Sequence, residues 1–367
     1  MRYYKLSALM LALVLLVSLG ACKPAAADPT DQPTEGAAET VPPTEEPTQE
    51  PTNKPAETET IDPPLDMRLA VLSGPTGIGA AKLLDNIDND QSALLGAGNY
   101  SYKIYTDNSE LVAGLTNGEI DIATMASNVA VNLYNKTDGG VKIIAVGTLG
   151  VLHILEGGGG TSINSVEDLR GKTIYSAGEG ANPEYILRYL LQESGLEIGT
   201  DVEVVFADAT EISAKLLSGE IECAMLPVPA ATAAIAKSEG QVRAAIDVTE
   251  AWDALETGSQ VIMTAVVART EFLESHPESV NLFLRDYEAS IDYVNNNIDD
   301  AAELVAGYGL TPSAAIAKLA IPQCHLAFIA GNDMMSAISD YLIALYAIDP
   351  ASVGGSLPDD SIYYTAS

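Results

Sequence analysis

The sequence predicts an α/β protein made of two similar α/β lobes joined by a two-strand hinge, with a ligand cleft between the lobes. Three observations carry this. From residue 67 onward, strand-like, loop and helix-like segments alternate, which favours α/β architecture with mainly parallel pairing. A helix–glycine–strand unit recurs at a constant offset of 101 residues. Two apolar stretches, 141–155 and 261–268, stand where the chain must pass from one half to the other and back.

Taken in order, the chain opens on Arg2 and Lys5, then an apolar run over 6–19, LSALMLALVLLVSL. This run falls short of the roughly 20 residues of a bilayer span and suits a signal-peptide core over residues 1–21. The run ends in Leu19-Gly20-Ala21-Cys22, which resembles the bacterial lipobox. The resemblance implies cleavage before Cys22 and diacylation of its thiol, and two acyl chains anchor stably where one does so marginally. Residues 23–66 hold ten of the 19 prolines, carry a net charge of −9 and almost no large apolar side chain. Such a segment buries too little apolar surface to offset its conformational entropy. Residues 22–66 therefore read as a lipidated, disordered Pro/Thr/Glu-rich tether, extended by polyproline II preference.

Residues 67–367 are long enough for a large core. Their net charge of −26, within −33 for the whole chain, opposes binding to nucleic acid or to anionic membrane. Residues 67–72 (MRLAVL) read as a buried strand, 73–77 (SGPTG) as a turn, and 80–86 as a helix. A second strand spans 100–105. Asn108 or Ser109 caps a short helix that stops at Asn117-Gly118, and 120–125 is the next strand.

The 101-residue echo follows. Residues 110–123 read ELVAGLTNGEIDIA, and 211–224 read EISAKLLSGEIECA. Each copy is a helix, a glycine stop and a buried strand. The strand and glycine loop of 69–77 is likewise paired by 173–180, TIYSAGEG, which opens the helix EYILRYLLQESG. The stretch 141–155 is long for one strand and ends in Gly157–Gly160; 261–268 (VIMTAVVA) is a later apolar strand. If both cross between halves, lobe one comprises 67–154 and 262–367, and lobe two 158–258. The tail 271–347 is mostly helical by periodicity and is expected to wrap lobe one.

In open α/β sheets ligands bind beyond the carboxyl ends of strands. That rule selects Gly74, Pro75, Thr76 and Gly77 with Ser127 and Asn128 in lobe one, and Gly178, Glu179, Asn182, Pro227 and Pro229 in lobe two. Thr148 on the hinge strand forms the floor. Each loop opens a helix, whose free N–H groups and dipole favour anions. The alternatives are plain: a turn at 74–77, caps at Ser127 and Asn128, loop-fixing prolines, and a solvated Glu179. No arginine falls in these loops, so an amine-bearing or neutral heterocycle facing Glu179 is slightly preferred over an anion.

Catalysis finds little footing. His153, His276 and His325 lie far apart in sequence, and no GxSxG, Walker loop or HExxH is present. Beyond Cys22 the only cysteines are Cys223 and Cys324, without metal-type spacing. They fall in different lobes, so no disulfide is expected. The sequence implies no metal and no cofactor.

At this point the chain resembles the solute-binding proteins of ABC importers, with the type II periplasmic-binding-protein fold, in the branch serving nitrate, sulfonates, taurine and thiamine precursors. The resemblance is carried by SGPTGIGAAKLL, by LxxGEIDIATMASNVAVNLYNK and by SVEDLRGKTIYSAGEGANPEYILRYLL. It extends through SGEIECAMLPVPAATA, AIPQCHLAFI and SVGGSLPDD, and so covers 67–364. It implies a monomer that is not an enzyme, lipid-anchored on the extracytoplasmic face of the cell membrane. Its partners are then a small-molecule ligand and an ABC permease with its ATPase. Two other readings stay open: an enzyme on the same scaffold, resembling pyrimidine-precursor synthases, and a solute sensor.

Overall fold

The computed structural model describes residues 65–91 and 98–365. The signal segment, Cys22 and the tether up to residue 64 lie outside the described residues. The first sheet contains β1 (Leu65–Leu72), β2 (Gly98–Tyr105), β3 (Ile122–Ala126), β4 (Val141–Thr148), β10 (Thr264–Arg269) and β11 (Leu326–Ile329), in the order β11-β4-β10-β3-β1-β2. The second contains β5 (Leu152–Glu156), β6 (Thr173–Ser176), β7 (Glu203–Phe206), β8 (Cys223–Pro227) and β9 (Arg243–Asp247), in the order β7-β6-β8-β5-β9. The expected fold class holds: two α/β lobes, each with its own sheet.

The helices between strands are α1 (Pro75–Ile78), α2 (Ala81–Asp88), α3 (Asn108–Asn117) and α4 (Ser127–Lys136), then α5 (Asn182–Glu193), α6 (Ala209–Ser218), α7 (Ala230–Lys237) and α8 (Val248–Asp253). The tail holds α9 (Thr270–Ser275), α10 (Pro277–Asn296), α11 (Ile298–Gly307), α12 (Ala314–Ala320) and α13 (Gly331–Ile348). Among the described residues no helix is long and apolar enough to cross a membrane.

The 101-residue echo is visible as structure. α3 ends at Gly118 (φ 77°) and α6 at Gly219 (φ 74°), left-handed positions that a side chain would strain. β3 and β8 then begin and end at the same offset. The echoed carboxylates diverge. Asp121 is buried between Arg68 and Arg269, whereas Glu222 is exposed.

Four sequence expectations change. The cap of α3 is Asp107, whose carboxylate accepts from the Ser109 N–H at 2.7 Å, not Asn108 or Ser109. Pairing is not mainly parallel: β1 pairs in parallel with β2 and β3, and β6 with β7 and β8, but the five pairings that involve β4, β5, β9, β10 or β11 are antiparallel. β5 and β10 each come straight in from a crossing and run against the strands on both sides of them, and β11 returns from the tail antiparallel to β4. The stretch 141–155 splits, β4 staying in the first sheet while β5 pairs with β8 and β9. The first crossing is therefore 149–151, ahead of the expected boundary at 154. The helical tail also contributes a strand, β11, to the edge of the first sheet.

The tail does more than wrap one lobe. α13 packs on α5 as well as on β4. Tyr189 of α5 stacks on Trp252 of α8 at 4.2 Å between ring centroids, and Tyr341 of α13 lies 6.0 Å from the same indole. All three are buried in one apolar core that runs from the first sheet into the second lobe. A smaller cluster, including Leu155, Ile212, Leu216 and Leu226, packs α6 and α7 on the second sheet.

Candidate functional site

The carboxyl ends of β3, β4 and β8 and the first turns of α4 and α5 meet where the two lobes touch. Ser127, the first residue of α4, is fully buried. Its N–H donates to the Met263 carbonyl at 3.0 Å and its hydroxyl to the Ile262 carbonyl at 2.6 Å. Asn182, the first residue of α5 in the other lobe, is 1% exposed. Its amide donates to Ser127 Oγ at 3.0 Å and to the Met263 carbonyl at 3.1 Å, while its Oδ1 accepts from the Tyr341 hydroxyl at 3.2 Å. One second-lobe amide is thus clasped by three groups carried on the start of α4, the residue ahead of β10, and α13 of the tail. The lobes are in contact.

Around this clasp, buried polar atoms go unpaired. Asn128 Oδ1, Thr148 Oγ1, Thr264 Oγ1 and His153 Nδ1 have no hydrogen-bond partner among the described residues. Thr148 stands directly opposite Thr264 in the β4–β10 register, and Thr264 opposite Ala126, the residue before α4. Buried polar atoms are normally satisfied, and each exception calls for a partner. Neither α4 (N-cap Ala126) nor α5 (N-cap Ala181) has a side-chain cap. The Ser127 N–H is taken by Met263, Pro183 has no N–H and the Glu184 N–H bonds the Ala181 carbonyl, so what meets here is the positive end of each helix.

The remaining residues selected from the sequence fall as follows. Gly74 (φ 79°) precedes α1, and Pro75 and Thr76 are half-buried within it. Gly77 faces its own lobe, because a Cβ there would sit 2.4 Å from the Leu72 carbonyl. Pro227 ends β8, and Pro229 immediately precedes α7; both are half-buried. Between them the Val228 N–H donates to the Val151 carbonyl at 2.8 Å, tying this loop to the first crossing. Gly178 takes φ 91° and Glu179 is exposed at the loop tip. Ser127, Asn128, Thr148 and Asn182 thus collect at one place, while Glu179 stands in solvent.

Sequence reasoning missed Thr264, the carbonyl of Met263, Tyr341 and a charged cluster at the hinge. His153 on β5 and His325, just ahead of β11, approach the same Asp247 oxygen, at 3.9 and 3.7 Å. Burial holds the His153 imidazole below its ordinary range, against the pull of Asp247. His325 is raised, chiefly by Asp247. Burial alone would push Asp247 up, but the two imidazoles and the Thr249 and Glu250 amides hold it down to about 2. The only available signal was a histidine within an otherwise apolar strand, VLHIL.

No activated nucleophile stands here. Cys223 and Cys324 are free and buried, and burial pushes both thiols up to about 12, far from the reactive thiolate range. Among the described residues no cluster of His, Cys, Asp or Glu is placed to hold a metal ion. A cavity of about 690 Å³ opens at the opposite end of the first sheet, beside Gly118, Gly140 and Arg269. Arg269 is already paired with Asp121 and Glu271, so the unsatisfied groups between the lobes mark the better candidate.

The structure is similar to that of an ABC transporter from Parabacteroides distasonis, with 22% identity over 82% of this chain and 99% of that one, at a TM-score of 0.69. It is similar to the periplasmic aliphatic sulphonate binding protein SsuA from Escherichia coli (14% identity, 83% and 93% covered, TM-score 0.65). It is also similar to the alkanesulfonate-binding protein SsuA from Xanthomonas axonopodis pv. citri bound to MOPS (14%, 78% and 94%, TM-score 0.59). At these identities the likeness shows the fold, that of periplasmic binding proteins. No curated protein matches the chain. The family model described as NMT1/THI5 like matches residues 101–301, more than half of the sequence. The chain belongs to the NMT1/THI5-like family.

Proposed function

We propose that this chain is an extracytoplasmic solute-binding lipoprotein, which closes two lobes around a small molecule and presents it to an ABC importer. Lobe one comprises β1–β4 with β10, β11 and the tail, and lobe two the segment between the crossings. The observation that carries the reading is the set of unpaired, fully buried polar atoms at the lobe junction: Asn128 Oδ1, Thr148 Oγ1, Thr264 Oγ1 and His153 Nδ1. A ligand touching both sets of helix starts favours the closed form, because only there does it meet both lobes. The named neighbours, an ABC transporter and two sulfonate-binding proteins, support transport as the role. Two inert thiols and the bonded Ser127 hydroxyl favour capture over catalysis.

The ligand class shifts from the sequence expectation. Glu179, the basis for an amine or heterocycle, is exposed, while two uncapped helix starts converge. These favour a small anion such as a sulfonate or carboxylate. Lipidation at Cys22 and a tether up to the lobe would hold the protein at the membrane. The test is a thermal-shift screen over sulfonates, nitrate, taurine, pyrimidines, thiamine and short carboxylates. A cognate solute at 100 times its Kd adds about 2.7 kcal/mol, and Thr148→Val should weaken its binding about tenfold while leaving the ligand-free melting point unchanged. A cognate solute whose binding is indifferent to Thr148→Val and to Asn128→Ala puts the site elsewhere.

A further inference from the structure

We propose that His325 and Asp247 form a proton-dependent latch across the hinge, so that mild acid holds the lobes together and alkaline pH releases them. This deepens the two-lobed capture reading and rests on it. His325 leads into β11 in the first sheet and Asp247 ends β9 in the second, so the pair spans the two lobes. The His325 backbone is left-handed (φ 43°), and its carbonyl accepts from the N–H of Leu149 in the first crossing at 3.1 Å. The His325 backbone is therefore tied to the first crossing. Asp247 divides its oxygens: Oδ1 caps α8 through the Thr249 and Glu250 N–H groups at 2.8 and 3.2 Å, and Oδ2 lies 3.7 Å from His325 Nε2.

The charges across the gap are one-sided. His325 feels Asp247 first, then Glu250 and Asp253 of α8, all carried by the second lobe. His153, the other imidazole near Asp247 Oδ2, is buried and held towards its neutral form. Its burial works against its charging, so His325 is the imidazole whose charge the second-lobe carboxylates favour. Opening separates His325 from all three carboxylates and returns it toward about 6.5. A group whose pKa is higher in one state stabilises that state fully below the lower of its two values, and the advantage is lost as pH rises through the higher one. Closure is thus favoured in mild acid and loses this contribution as pH rises through the raised His325 value. Each half unit by which closure raises that value changes the closed-to-open ratio about threefold.

The test needs no ligand. Spin labels at Glu211→Cys on α6 and Glu303→Cys on α11, both exposed, report the lobe separation in the full chain with Cys22→Ser. Cys223 and Cys324, at 2% and 0% exposed, stay unlabelled. Between about pH 6 and pH 8.5 the closed-to-open ratio should fall about threefold or more. His325→Gln should flatten the response and His153→Gln should keep it. A pH-independent distribution in the parent chain overturns the latch, whether one population or two, and so does a full response retained by His325→Gln. Failure of the solute screen leaves these outcomes untouched, so the two readings fail separately.

Discussion

Asn182→Ala tests whether the buried amide is an interlobe clasp or a local cap. The change removes two bonds that cross between lobes, to Ser127 Oγ and the Met263 carbonyl, and strips the Tyr341 hydroxyl of its acceptor. Met263 still receives the Ser127 N–H, and Ser127 still donates to Ile262. The Tyr341 hydroxyl, on a side chain that is 0% exposed, keeps the Ser127 hydroxyl beside it, which the change frees to accept. Two lost bonds at about 0.5–1.5 kcal/mol net each give about 1–3 kcal/mol against the closed form. Even the lower figure is about a fivefold shift towards open. The spin-labelled pair on α6 and α11 reads that shift directly, and Tyr341→Phe, which keeps both Asn182 Nδ2 bonds across the lobes but takes the donor from Asn182 Oδ1, should move it less. A variant that melts earlier yet keeps the closed distance refutes the clasp, because the amide would then serve only its own helix.

Glu156 gives an acid limb: burial raises its carboxyl, but the Ser162 hydroxyl and N–H, the Ile163 N–H and Arg243 hold it down to about 2 from 4.5. A depressed carboxyl stabilises above its unfolded value, so about 3 kcal/mol should be lost between about pH 4.5 and 2, and Glu156→Gln should flatten that limb in acid melts. Cys223 and Cys324 should resist iodoacetamide at pH 8 until the protein unfolds, and mass spectrometry of unreduced protein should find no 223–324 linkage; either modification refutes their buried, separate placement. Glu179→Gln should leave affinity for an anionic solute unchanged or slightly better, and a tenfold loss instead restores the amine reading. Cys22→Ala should release the chain from membranes, and unchanged retention removes the lipid anchor from the proposal.

Much of the fold was legible because its units are local. The α3–β3 and α6–β8 copies announce themselves through a helix, a glycine that must be left-handed and a buried strand, and the structure reproduces the offset residue for residue. What could not be read depends on distant chain. β11 is four residues, LAFI, amid helices, and only the exposed edge of β4 makes it a strand. Antiparallel pairing followed from the crossings, which no local pattern encodes. At the candidate site, Ser127, Asn128, Thr148 and Asn182 could be found from the strand-end rule. Thr264 was hidden in an apolar run. His153 and Asp247 meet only through the β5–β9 pairing, and His325 reaches them only across the hinge.

The crossings also bear on how the chain folds. The second lobe is one uninterrupted segment, so all its strands are available once residue 247 has been made. The first sheet is different: β4 waits for β10 and β11, more than a hundred residues later. Non-local pairing of this kind is slow, and until it forms the edge of β4 is open to wrong partners. Refolding should therefore be biphasic, the second lobe gaining exchange protection first and β3 and β4 last. Substitutions in β10 or β11 should then slow the late phase alone.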